Sequence, residues 1–272
     1  MEKKKKSTRD FCLEKLELNK GSFVKGETLA EELSVSRNAI WKAIKELKNA
    51  GYDIKSVNNK GYCLEDISDI LSVISIKNSM INYLETSSKA NTKNINKKAI
   101  KYKDTKTNTS LADKISDSII IYDQLASTNQ TAKMSFITGE LDKKIIIAKS
   151  QTSGQGHNKS SFDSPEGGIY MSIILDTPDK NKKLSTSTIG NSVYEVIQEL
   201  SGKKITMDEK YNRISIGRKN VCGILTEYFA DLETNTINGY VIGIGIKDIG
   251  IPKNDTIAMI LCKLTEKGIL SV

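Results

Sequence analysis

Gln151-Thr152-Ser153-Gly154-Gln155-Gly156-His157-Asn158-Lys159-Ser160 opens a glycine-punctuated stretch that runs through Gly167-Gly168 into the apolar run Ile169 to Leu175. Glycine lets backbone amides approach a ligand closely, so this layout suits a loop that wraps an anion. Phosphate and acyl-phosphate chemistry also calls for fixed cations, for which arginine is the usual choice. Residues 151–172 contain no arginine. Upstream, Ser127-Thr128-Asn129 offers two hydroxyls and an amide, and Gln151 adds a second amide. Such groups recognise a neutral polar ring better than a charge. They could also persist only as strand-end and turn formers. His157 is the single histidine, which argues against a Ser-His-Asp triad. Cys12, Cys63, Cys222 and Cys262 lack metal-type spacing and read as reduced, buried thiols, so no metal site is expected.

The chain of 272 residues is long enough for two domains, and 38% hydrophobic with 27% charged residues is a globular composition. The basic start, Met1-Glu2-Lys3-Lys4-Lys5-Lys6, has no apolar stretch after it, so no secretory signal is read, and a cytoplasmic protein with no membrane partner is expected. The net charge of +8 points to an anionic partner, nucleic acid first, although lysine excess also serves solubility.

The elements that must position the loop are mostly strands. Ile119–Tyr122, Lys144–Ala148 and Ile169–Leu175 are short β-branched runs, followed by expected strands near 213–217, 222–230 and 238–246. Helices are expected at Ser187–Leu200 and Thr256–Leu264. This mixed order predicts an α+β domain over 118–272. Residues 67–117 read as a linker, with a Lys-, Asn- and Thr-rich insertion at 88–110.

Residues 1–66 have a different organisation. Gly26–Leu33 predicts a short helix and Ser34-Val35 a turn. Ser36 then caps a second helix whose Ala39, Ile40, Ala43, Ile44 and Leu47 share one face. Ser36, Arg37, Asn38, Lys42 and Lys45 fall off that face, as a helix-turn-helix requires for reading the major groove. Gly51–Ile54 and Tyr62–Leu64, joined through Asn58-Asn59-Lys60-Gly61, predict a β-hairpin wing. Trp41 is expected to pack between helix and wing, with stacking on DNA as the alternative.

Taken in chain order, these segments carry a family resemblance. Ser36 to Ile44, Gly51-Tyr52 and Asn59 to Tyr62 resemble the winged-helix domain of the bifunctional biotin–protein ligase and biotin operon repressor family. Ser127-Thr128-Asn129, Gln151 to Gly154, Ser164 to Tyr170, Val221 to Glu227 and Val241 to Ile246 resemble its ligase core. The resemblance implies a winged helix-turn-helix joined to a mixed-sheet, class II synthetase-like domain. It implies Ser127, Thr128, Asn129, Gln151, Gly156, Gly168 and Gly223 as biotin-binding positions. The family forms biotinyl-5′-adenylate from biotin and ATP with Mg²⁺, passes biotin to a carrier lysine, and uses the adenylate as corepressor of a DNA-bound dimer.

This chain departs from that pattern on the nucleotide side. The family loop is Gly-Arg-Gly-Arg-Arg-Gly-Arg with a Trp two residues on; here Gln155, His157 and Asn158 stand at arginine positions, Lys159 replaces a glycine, and Phe162 stands for the Trp. Aligned backward from Gly223, the Lys-Trp-Pro-Asn-Asp motif falls on Glu209 to Arg213, keeping only Asn212 and turning an acid into Arg213. The catalytic lysine position falls on Asn220. Lys219 lies one residue away and faces the other side of the strand unless a bulge intervenes. Lys247 stands where an asparagine is expected. The chain ends at Val272, so the family's C-terminal barrel-like domain is expected to be missing. The reading is a biotin- or small-acid-responsive homodimeric regulator of operator DNA that has lost ligase activity. Two alternatives stay open. One is a working ligase acting on a biotin carrier protein with ATP and Mg²⁺, with Lys219 and Lys159 as substitutes. The other is a ligand-free DNA-binding dimer.

Overall fold

The structure, a computed structural model, describes residues 7–65, 69–91, 105–139, 144–176, 184–210, 212–231 and 236–271. The chain divides into two units, Met1–Asn78 and Ser79–Val272.

The first unit is built on α1 (Thr8–Leu18), α2 (Gly26–Leu33) and α3 (Arg37–Asn49), followed by the hairpin β1 (Ile54–Val57) and β2 (Gly61–Leu64). Ser7 and Ser36 cap α1 and α3 through their hydroxyls, each accepting from a first-turn amide. Ser34 takes a left-handed conformation (φ 53°) that ends α2 and sets the turn between α2 and α3. Ile40, Ala43, Ile44 and Leu47 of α3 are buried with Cys12, Leu13, Leu16, Leu29, Tyr52, Ile54 and Leu64. Asn59 and Gly61 both have positive φ and reverse the hairpin. A side chain at Gly61 would also strike the backbone of Val24, which bridges to Tyr62 and adds a third partner to the wing.

The interval expected as a linker carries two helices, α4 (Val73–Asn91) and α5 (Thr105–Asp117). Ile76, Met80 and Leu84 are buried at helical spacing on α4, and Ala112 and Ile115 on α5. These short apolar stripes flank the polar stretch that dominates the composition. Residues 92–104, the centre of the 88–110 insertion, lie outside the described residues, as do 66–68.

The second unit is organised by one seven-stranded sheet. Its strands are β3 (Ile119–Leu125), β4 (Ile145–Gln151), β5 (Ile169–Asp176), β6 (Ile205–Asp208), β7 (Arg213–Ile216), β8 (Lys219–Asp231) and β9 (Thr236–Ile246), in the order β3-β4-β5-β9-β8-β7-β6. Only β3 and β4 pair in parallel; every other neighbour is antiparallel. Six consecutive residues of β5, Ile169–Ile174, are buried, as expected of a central strand covered on both faces. Among the described residues this unit also holds α5, most of α4, and the helices α6 (Thr128–Thr138), α7 (Thr186–Ser201) and α8 (Lys253–Glu266). α6 packs on β4, β5 and β9, and α7 packs on α8. α8 is buried nearly all round, from Thr256 to Cys262. No helix of the described residues is long and apolar enough to cross a membrane.

All four cysteines are free and buried. Burial raises the thiol pKa to about 11 at Cys12 and about 12 at Cys262, which keeps the reactive thiolate scarce there. Thiol titration with a disulfide reagent is therefore expected to find almost no reactive cysteine in the native chain at neutral pH, and all four after denaturation.

Candidate functional site

The two parallel strands end together, at Leu125 and Gln151, and the chain folds back at their carboxyl ends to enclose a cleft of about 220 Å³. Open sheets commonly bind ligands at that edge. Thr152 and Ser153 donate backbone hydrogen bonds to Leu125 and Ala126, which ties the start of the glycine loop to the end of β3.

One wall is the amino end of α6. The buried Ser127 caps this helix, accepting from Gln130 N at 3.4 Å. Thr128 N and its hydroxyl donate to Gln151 Oε1 at 2.8 and 3.1 Å, while Gln151 Nε2 donates to Ser164 Oγ at 2.9 Å. Asn129 Oδ1 accepts from Ser172 Oγ at 2.6 Å, and Asn129 Nδ2 donates to Glu227 Oε2 at 2.9 Å. The other Glu227 oxygen accepts from Lys133 at 2.5 Å. Each amide is thereby fixed in one orientation, so a ligand meets a set polar surface. Ser164, Ser172 and Glu227 are the residues that the sequence reading missed. Their only signal was position: one before the loop's Pro165, one on β5, one at the end of the Val221–Glu227 motif.

The floor is glycine. Gly223 of β8 and Gly245 of β9 are cross-strand partners, and Gly243 lies two residues along. A side chain at Gly245 would collide with the Phe162 ring, and one at Gly243 with the Asn129 amide at 2.3 Å. The Phe162 ring thus lies over the paired glycines, with Lys247 Nζ 5.9 Å from its centroid.

The glycine loop is a small hairpin. Gln151 bridges Ser164, Gln155 bridges Ser161, and Gly156 N donates to Ser160 O at 2.7 Å. His157–Lys159 form a single 3-10 turn at the tip, where Asn158 is left-handed (φ 54°). Gln155, Gly156 and His157 line the cleft; Asn158 does not, and the Lys159 side chain lies outside the described residues.

On the far wall stand Arg213 and Asn220. A register shift places Cys222 opposite Ile214 but Asn220 opposite Ser215, a β-bulge that leaves one extra residue at Val221. With this bulge Asn220 and Gly223 line the same cleft although they are three positions apart, a step that sets side chains on opposite faces of a regular strand. The bulge needed for a rescue by Lys219 is thus present, yet Asn220 faces the cleft; Lys219 is exposed and does not line it. Two more expected site residues are not among those lining the cleft. Asn212 sits in a left-handed turn (φ 47°) with Oδ1 3.3 Å from where a Gly190 side chain would begin, on the α7 side. Gly168 is hemmed by Tyr170 Oη and Ile246 O, so its smallness serves packing. Tyr170 donates to Pro165 O at 2.7 Å, and burial raises its phenol pKa to about 12, so it stays a donor. Cys222, wholly buried, has its thiol pushed far up by desolvation.

Among the described residues lining the cleft, Arg213 is the one permanent cation and none carries a carboxylate. The lining does not fit a magnesium ion, which calls for carboxylate oxygens. It fits a small ligand with a neutral polar end toward Thr128, Asn129 and Gln151 and an acidic end toward Arg213.

In the first unit, Ser36, Arg37, Asn38, Lys42 and Lys45 are all exposed at α3. Arg37 donates to Glu27 of α2 in an exposed ion pair, worth little to stability but enough to orient the guanidinium. Lys48 donates to Ser56 at 2.9 Å, joining α3 to the wing. Trp41, expected inside, is 53% exposed. The wing's Ile54 and Leu64 already fill the space behind α3, and Trp41 stands roughly 100° around the helix from the buried stripe.

Fold and cleft together define a winged helix-turn-helix joined to a ligase-type mixed-sheet domain. Residues 9–63 match the family described as HTH domain, and residues 121–246 match the family described as Biotin/lipoate A/B protein ligase family. Two curated relatives, each named bifunctional ligase/repressor BirA, come from Bacillus subtilis (strain 168) and Bacillus spizizenii. They are 30% identical over 228 and 229 residues, 82% of this chain and 60% of each relative. The chain therefore spans less than two thirds of their length. Among solved structures, the biotin acetyl coenzyme A carboxylase synthetase of Helicobacter pylori is similar at 23% identity and TM-score 0.46, covering 54% of this chain and 73% of that one.

Proposed function

We propose that this chain is a DNA-binding regulator whose ligase-like domain senses biotin or a closely related small acid without activating it. One observation carries the reading. The cleft gathers Ser127, Thr128, Asn129 and Gln151 at one wall and Arg213 at another, with neither a lysine nor a carboxylate in its described lining. A ureido ring is neutral and rich in donors and acceptors, as Thr128, Asn129 and Gln151 require. A free carboxylate is the natural partner of Arg213. The same arginine opposes a magnesium ion, which favours the free acid over an adenylate as effector. The helix-turn-helix match and the exposed basic face of α3 support operator DNA as partner, and a homodimer suits a palindromic operator. A biotin carrier protein, ATP and Mg²⁺ enter only if the chain proves to be a ligase.

Calorimetric titration with biotin tests the ligand. One-to-one binding with a raised melting temperature is expected, and no heat or stabilisation at millimolar biotin sinks the sensing role in favour of a ligand-free regulator. The DNA side is tested by Arg37→Ala, expected to weaken duplex binding about tenfold and to lower the slope of log affinity against log salt by about one. Binding as tight as that of the parent would remove α3 from the interface.

A further inference from the structure

Trp41 is the only tryptophan of the chain and is 53% exposed on α3. A single exposed aromatic is common on protein surfaces, so exposure alone assigns nothing and the neighbours of the indole carry the argument. Its surroundings say which kind. At 100° per residue, Arg37, Trp41, Lys45, Asn38 and Lys42 follow one another, in that angular order, around the side of α3 that runs from the edge of the buried Ile40, Ala43, Ile44 and Leu47 stripe to its far face. The indole is therefore set within a cationic and amide-bearing stripe, not at its margin. Lys45 Nζ lies 5.2 Å from the ring centroid, so the ring shares its face with a charge that attracts phosphate. An apolar protein partner would be expected to meet an apolar neighbourhood here; duplex DNA offers both a phosphate backbone and apolar thymine methyl groups in the major groove.

We propose that Trp41 is a base-reading residue whose indole contacts thymine C5-methyl groups in the major groove, with Lys45 holding the neighbouring phosphate. The assignment rests on the DNA-binding reading above and adds to it a sequence preference: the bound site carries thymine under the middle of α3. Arg37 and Asn38 read or position from the first turn, and Trp41 supplies discrimination that a phosphate-bound Lys45 does not, because phosphate contacts carry no sequence information.

The test uses the full chain and a library of random 20-base-pair duplexes. After selection, each thymine of the enriched site is replaced in turn by deoxyuridine, which removes only the methyl group. For the parent, at least one replacement is expected to weaken binding on the order of tenfold, the scale of one mismatched pair. Trp41→Ala is expected to bind uridine and thymine sites alike while keeping its melting temperature, as an exposed side chain permits. The single indole also gives a direct readout, since its fluorescence should change on saturation with the selected duplex. A Trp41→Ala chain that keeps both affinity and the thymine preference overturns the assignment alone. Failure of the parent to enrich any duplex overturns the DNA reading and the assignment together.

Discussion

Incubated with ATP, Mg²⁺, biotin and a biotin-carrier domain, the chain is expected to transfer biotin at a rate indistinguishable from the uncatalysed background. Acyl-adenylate formation needs positive groups fixed around the α-phosphate as charge develops there, and removing one such donor costs about 10²–10³ in rate. The described lining of this cleft offers Arg213, on the wall where an acid is expected, and amides or an imidazole along the loop. Asn220 fills the position where a lysine would act, and Lys219 lies outside the cleft despite the bulge beside it. Residues acting as a unit do not add, so the total loss is not a product of single losses, but it is at least about as large as the greatest single one. Phosphate-labelled exchange between ATP and pyrophosphate, together with streptavidin detection of the carrier, measures both half-reactions. Clear transfer onto the carrier lysine would establish the chain as a diverged ligase and end the sensor proposal in its present form.

Gly243→Ala is expected to weaken ligand recognition strongly while leaving a folded, less stable protein. The new methyl carbon would begin 2.3 Å from Asn129 Oδ1 and 2.9 Å from Nδ2. Asn129 cannot simply swing aside, because Ser172 holds its oxygen and Glu227 its nitrogen. Displacing it strands buried polar groups, and overpacking of this kind costs about 1–3 kcal/mol. Biotin affinity should fall on the order of a hundredfold, equivalent to about 2.7 kcal/mol. Thermal melting and calorimetry on the same sample separate the two effects. Unchanged biotin affinity in a chain that melts lower would place the ligand elsewhere than against Asn129.

Much of the first unit was legible because local signals agreed there. Ser36 caps, the stripe from Ile40 to Leu47 buries itself, and Asn59-Lys60-Gly61 reverses a hairpin. Trp41 escaped the same logic, since hydrophobicity alone argues for the interior and only its angle around α3 argues against it. In the second unit the β-branched strands were readable, whereas α6 was not. Its sequence is polar and weakly periodic, and it forms because Ser127 caps it and Ala132 finds the sheet. The helices at 73–91 and 105–117 were hidden by the lysine- and asparagine-rich stretch between them.

What the sequence by itself determined is the inventory: a capped second helix of a helix-turn-helix, six of the seven strands of a mixed sheet, four uncharged polar residues, and a glycine loop without arginine. Chemistry that depends on which residue types exist can be read from one dimension. The tertiary structure alone decided which of them meet. Parallel pairing of β3 with β4 brings Gln151 to Thr128, and β5 delivers Ser172 to Asn129 across 43 residues of chain. The bulge at Val221 decides that Asn220, and not Lys219, faces the cleft, because a single extra residue inverts the alternation of a strand and no local pattern announces it.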